Sequence, residues 1–228
     1  MTATLPTREP TRSPGDKGWW AWFALSSLAI TVLAVGPYAT ASLAQLSADD
    51  HGVASNYADR AAFFQAALYV HAGAAGLALL LSPLQFAARI RRSKPRVHRT
   101  VGKVVLAAIA VAGVAGLVLS FVNEAGLIGV MGFGGLALAW LGSATCAYRA
   151  ARHRDFTAHR RWAVRTFALT YAGVTLRLQT IVFVSLQVAF GADAADAFDR
   201  AYYVVTFSCW VPNLLVAEWY LRRAGRAR

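Results

Sequence analysis

Charge is scarce in this chain: Asp, Glu, Lys and Arg make up 15% of its 228 residues, where a soluble domain carries about 25%. That deficit excludes an ordinary water-soluble globule, which needs charged side chains to cover its surface. Cysteine is scarcer still. Cys146 and Cys209 both lie in apolar runs, so neither a disulfide framework nor a C-x-x-C redox motif is available, and two inert buried thiols are expected. Chemical motifs are missing too. H-E-x-x-H, G-x-S-x-G and paired intramembrane aspartates do not occur, which removes the common hydrolase chemistries. The GFGG string at 132–135 follows no strand, so it is no dinucleotide fingerprint.

What the chain has is hydrophobicity, at 57% of residues with a mean hydropathy of +0.44, together with a formal charge of +12. A basic protein of this kind binds nucleic acid when its cations share a water-facing surface with polar neighbours. Here they stand in short clusters between long apolar runs, which is membrane topology and not a nucleic-acid interface.

Crossing a ~30 Å hydrocarbon core takes about 20 mostly apolar residues. Six segments qualify, at roughly 19–41, 63–86, 102–122, 129–148, 162–190 and 201–221. The expected fold is all-α, a polytopic transmembrane helix bundle of about six spans. It is flanked by a disordered basic tail over 1–18 and a basic tail over 222–228. The connections alternate in charge. Every Lys and Arg except Arg60, Arg177 and Arg200 falls in the first, third, fifth and seventh of these polar stretches or at their edges. Asp49, Asp50, Asp59, Glu124, Asp193, Asp196 and Asp199 occupy the others. Positively charged loops stay in the cytoplasm during insertion, so both termini are expected inside (N-in, C-in) with the protein in the plasma membrane. Trp19, Trp20, Trp22, Trp162 and Trp219 then fall at one interface and Tyr69, Tyr202 and Tyr203 near the other, where amphipathic rings settle. Ala39-Thr40-Ala41 after Pro37 resembles a signal-peptidase site. The apolar stretch before it is longer than the about 7–15 residues of a signal core, however, and an uncleaved first helix is expected.

Stripes of small residues mark helix packing in lipid. Ala108, Ala112, Gly116 and Ser120 recur every four residues in the third span, as do Gly135, Ala139, Ser143 and Ala147 in the fourth. These two spans are expected to pair through them. Two other stripes carry polar groups and should face the bundle interior: His71, Ala75, Ala78, Ser82 and Gln85 in the second span, and Thr166, Thr170, Gly173, Arg177 and Thr180 in the fifth.

Arg177 is placed ~20 Å from the end of its span, about mid-bilayer, where an arginine costs at least ~2.5–3.5 kcal/mol and demands a partner. Glu218 is the one carboxylate within a span, ~25 Å deep, with Asn213 at ~18 Å. An Arg177–Glu218 ion pair with Asn213 beside it is therefore expected, and with His71 and Gln85 these residues form the candidate ligand site. His71 itself is open to three roles: packing, proton relay, or metal or haem ligand. His98 and His159 each stand before arginine where a helix enters the membrane, in PRVHRTVGK and TAHRRWAVR. With Arg99, Arg160 and Arg165 they make a second candidate site. Two imidazoles from different helices suit the iron of haem b, and the same cations suit anionic phospholipid headgroups or another anion.

Several strings of the chain taken in order resemble a family of bacterial predicted membrane proteins, domain-of-unknown-function family 2306. They are His71, SPLQF at 82–86, Arg89, Pro95, His98-Arg99, Gly102, HRRW at 159–162, Arg165, Thr175-Leu176-Arg177-Leu178 and NLLVAE at 213–218. The resemblance covers about 63–220. It implies a membrane protein of six to seven helices and brings no established activity. Ser82, Val105 and Ala163 depart from it, standing where Gly, Tyr and Met are usual. Three functional readings follow: a buried polar site for a small ligand, anion or proton; a haem-b redox protein using His98 and His159, or His71; and an accessory subunit of a membrane complex.

Overall fold

Hydrocarbon offers no hydrogen-bond partner to a peptide group, so a chain this apolar folds into segments that satisfy their backbone locally. The computed structural model describes residues 14–48 and 53–226, with side chains from residue 18 onward. The tail over 1–13 and Asp49, Asp50 and His51 lie outside the described residues. Eleven helices and no strand occur among those described. They are α1 (Pro14–Thr40), α2 (Leu43–Ala48), α3 (Ala54–Ala58), α4 (Ala62–Phe86), α5 (Ala88–Ser93), α6 (Pro95–Ser120), α7 (Gly126–Arg152), α8 (Phe156–Thr170), α9 (Ala172–Ala189), α10 (Ala194–Ser208) and α11 (Val211–Arg226). Six rods are long and apolar enough to cross a membrane: α1 from Gly18, α4, α6, α7, α8 with α9, and α10 with α11. The all-α, six-span class read from the sequence is the fold observed.

Local chemistry sets the ends. Pro95 opens α6, where its missing N–H costs nothing. Asp155 caps α8 by accepting from the Ala158 N–H at 2.9 Å, and Asp193 caps α10 by accepting from the Ala195 N–H at 2.9 Å. Outward faces are apolar and bare: Leu33, Val114, Leu138 and Leu186 are more than half exposed, a surface made for lipid.

Side chains that are absent govern the packing. Gly113 of α6 seats the Leu141 side chain of α7, and Gly132 of α7 lies against the Thr206 backbone of α10. The third-span stripe faces only partly where expected. Gly116 lies beneath the His71 ring and the Ala112 carbonyl accepts from it, so these two members of the stripe face α4, the second span, while Ser120 meets Gly134 of α7. The two spans do pair, but only partly through the expected stripe, because α6 offers two small-residue faces and Gly113 heads the one that meets Leu141 of α7. In the middle of the bundle Trp140 donates from Nε1 to Thr170 Oγ1 at 2.9 Å, tying α7 to α8 beside buried Ile109, Ala144 and Leu169.

Two of the rods are broken. Pro212 has no N–H to give the Ser208 carbonyl four residues back. Gln179 of α9 fills the gap, donating from Nε2 to that carbonyl at 3.2 Å while accepting from Ser208 Oγ at 2.9 Å. The fifth span breaks at Tyr171 without a proline. There the Val174 N–H turns back three residues to the Tyr171 carbonyl at 3.0 Å. The Ala168 carbonyl accepts instead from Asn213 Nδ2 of α11 at 3.3 Å, and Asn213 Nδ2 also donates to Thr175 Oγ1 at 2.9 Å. At each break one freed carbonyl is thus taken up by a carboxamide from the other span.

Two outcomes test this packing by thermal unfolding in detergent. Gly132→Ala should destabilise by about 1–3 kcal/mol, since its new methyl meets backbone that cannot yield, whereas Gly142→Ala, with nothing within 4 Å, should be neutral or better. Gln179→Leu should cost about 1–3 kcal/mol by orphaning the Ser208 carbonyl. In a Pro212→Ala background, where a backbone N–H is restored, the same change should cost clearly less; additive losses would disprove the compensation.

Candidate functional site

A cavity of about 270 Å³ runs through the bundle between α1, α4, α6, α7, α9 and α10. Most of its wall is aliphatic, with Val35, Leu68, Leu79, Leu119 and Leu176 among the lining residues. Five ionisable side chains interrupt that wall, His71, Arg177 and the phenols Tyr38, Tyr57 and Tyr202, beside uncharged polar residues such as Asn123 and Thr180.

His71 is held against one face of α6. Its Nδ1–H donates to the Ala112 carbonyl at 2.9 Å. A carbonyl can only accept, so the proton of the neutral ring sits on Nδ1 and Nε2 keeps its lone pair. The ring fits only because residue 116 is glycine: a Cβ there would stand 2.9 Å from two ring atoms.

Arg177 comes from α9, six residues past the break at Tyr171. One ion pair forms among the described residues, and Arg177 is not in it. Glu218 instead accepts from Arg165, at 2.5 Å to Nε and 3.0 Å to Nη2, in a two-pronged bridge between α8 and α11. The expected Arg177–Glu218 pair is therefore overturned. The reason is length. The sixth rod begins at Ala194, not 201, which puts Glu218 about 36 Å from that end while Arg177 lies about 18 Å from Ala189. Measured from the other end, Glu218 and Arg165 are level. Arg165 also stacks over the Trp162 ring, 4.6 Å from its centroid.

Of the five residues expected to share a ligand site, the structure brings together two, His71 and Arg177. Asn213 braces the broken helices. Glu218 is engaged by Arg165. Gln85, at the end of α4, donates to the His98 carbonyl and accepts from the Gly102 N–H, at 3.3 Å each, and so staples α4 to α6. The fifth-span stripe divides likewise: Thr170, Gly173, Arg177 and Thr180 line the cavity, while Thr166 bonds Ser143 of α7 at 3.2 Å.

In the second candidate site His98 and His159 stand near enough for their charges to interact, while several of its members have hydrogen-bond partners elsewhere. His159 donates from Nδ1 to the Ala147 carbonyl at 2.9 Å, Arg160 approaches the Tyr220 hydroxyl at 3.5 Å, and Arg165 is committed to Glu218. His98 and Arg99 lie in the first turns of α6. Neither His98 nor His159 lines the cavity, and no group of three His, Cys, Asp or Glu suited to a metal occurs among the described residues. The haem reading gains no support from this geometry.

The three phenols were not singled out from the sequence as site residues. Tyr57 lies on short α3, and its phenol is pushed up to about 12, by burial first and by Glu124 second. It is therefore a neutral O–H at the cavity's edge. Glu124, between α6 and α7, is itself raised, chiefly by burial and then by Asp199, with Arg60 opposing.

A family model described as Predicted membrane protein (DUF2306) matches residues 68–221. The match runs from the helix bearing His71 to the helix bearing Glu218, and it includes Arg165, Arg177, Gln179 and Asn213. No curated protein and no solved structure matches the chain. With more than half its length matched, the chain belongs to the DUF2306 family of predicted membrane proteins.

Proposed function

We propose that this multi-pass membrane protein binds a small, largely apolar anion in its central cavity, with the charge held by Arg177. One observation carries the reading: a guanidinium that lines an apolar cavity within the span with no carboxylate bridging it among the described residues. An arginine at that depth costs at least ~2.5–3.5 kcal/mol, and a bound anion is the partner that offsets it. A carboxylate suits the planar, forked guanidinium best, because it accepts two parallel hydrogen bonds. The volume equals about nine waters of bulk liquid, room for a ligand of modest size whose apolar part meets the aliphatic wall. The bare Nε2 of His71 supplies an acceptor for a second polar group or for a proton that travels with the ligand.

Orientation completes the proposal. The charge asymmetry of the loops supports a bacterial plasma membrane with both termini and the arginine-rich end cytoplasmic. His98, Arg99, His159 and Arg160 would then lie against anionic phospholipid headgroups, while Arg165 serves the Glu218 bridge. Alkaline phosphatase fused after Arg226 should be inactive and a fluorescent protein at the same place bright; the opposite pair of results would invert the topology.

Binding is checked by thermal shift of the detergent-purified protein with hexanoate, using hexanol as the neutral control. At a hundred times its dissociation constant the acid should stabilise by about 2.7 kcal/mol. Arg177→Gln should lose that gain, and Gly116→Ala, which drives a methyl into the His71 ring, should reduce it. Equal shifts from acid and alcohol, or a full response in Arg177→Gln, would exclude Arg177 as the anion's partner.

A further inference from the structure

On the outer surface of the bundle, α6 and α7 leave a groove of about 500 Å³ between them, separate from the central cavity. Its floor is made by residues too small to fill it, Ala107 and Ala110 of α6 and Ala144 of α7, with Leu106 and Leu141 as walls. Its deep end is closed where Leu141 packs onto Gly113. The opposite end carries Lys103 and Tyr148. Because the helices are antiparallel, both polar tips fall at the arginine-rich end. From there to Ala110 on one helix, and to Leu141 on the other, is about 10 Å. Both tips are exposed. Among the described residues the Lys103 ammonium enters no ion pair, and the groove's other hydroxyl besides that of Tyr148, on Thr145, is already spent on the Leu141 carbonyl at 2.8 Å.

From this arrangement we infer that the α6–α7 groove is a binding site for an anionic phospholipid. The phosphate sits on Lys103 and Tyr148, and the first part of an acyl chain lies over Ala107 and Ala110. Charge decides the occupant. An ammonium and a phenol at headgroup level above an apolar trough match a molecule with a phosphate at one end and hydrocarbon at the other. A second copy of the chain fits worse. Neither α6 nor α7 contains an aspartate or glutamate, so a two-fold contact through this face would confront Lys103 with arginines, a lysine and no carboxylate.

The site is tested on the full chain purified in detergent, by native mass spectrometry with phosphatidylglycerol and phosphatidylcholine of identical acyl chains. Phosphatidylglycerol should be retained about tenfold over phosphatidylcholine, a difference of ~1.4 kcal/mol. Lys103→Gln should bring the two lipids to parity. Ala107→Phe fills the trough from an exposed position and should lower retention of phosphatidylglycerol by a similar factor, with the thermal midpoint unchanged in both variants. Equal retention of the two lipids by the parent protein would overturn the inference. So would a preference that survives both substitutions, or a disulfide-linked dimer of Ala107→Cys at high yield in lipid bilayers.

Discussion

A peptide group stranded in hydrocarbon costs several kcal/mol, and two of this protein's spans strand several. Pro212 deprives the Ser208 carbonyl of its partner, and the turn at Tyr171 does the same to Ala168. The remedy is reciprocal: Gln179 of the fifth span serves the sixth, and Asn213 of the sixth serves the fifth. Neither span is a sound membrane helix alone. They become so only side by side, and this mutual requirement fixes their register. Register in turn sets what α9 and α10 present to the cavity, so Arg177 and Tyr202 owe their places to two carboxamides that touch no cavity surface.

The charges obey the same logic of position. Glu218 and Arg165 stand level near the arginine-rich end, where a two-pronged bridge is geometrically good and partly solvated, the condition under which such a bridge is worth its desolvation. Arg177 stands about half a bilayer away with no carboxylate at its depth among the described residues. A single acid among many arginines thus goes to the guanidinium beside it and leaves the isolated one to the cavity. Arg165 also stacks on Trp162, and Arg223 on Trp219, at 4.6 and 4.1 Å from the ring centroids.

How much of this was legible in the chain depends on which physical signal carried it. Six spans and the all-α class follow from apolar length, a signal that tertiary context does not alter. The polar face of the second span was legible as well, since a 3.6-residue period places His71 and Ala75 together, and both line the cavity. Depth was not. An error of seven residues at the start of α10 moved Glu218 by about 10 Å and produced a pair that does not form. The break at Tyr171 had no proline to announce it, and the stripe Ala108-Ala112-Gly116 could not say which neighbour it faced. The phenols escaped because two of them, Tyr38 and Tyr202, lie near span ends where tyrosine is ordinary.

The bend at Tyr171 also divides the cavity's imidazole and guanidinium between different helices. His71 rides on α4, continuous and pinned to α6 through the Ala112 carbonyl. Arg177 rides on a half-helix whose link to the rest of its span is one irregular turn and a carboxamide from the neighbouring rod. The separation of imidazole and guanidinium is therefore an angle written as a distance. The geometry of that one turn, acting over a lever arm of six residues, sets where the guanidinium stands relative to the imidazole.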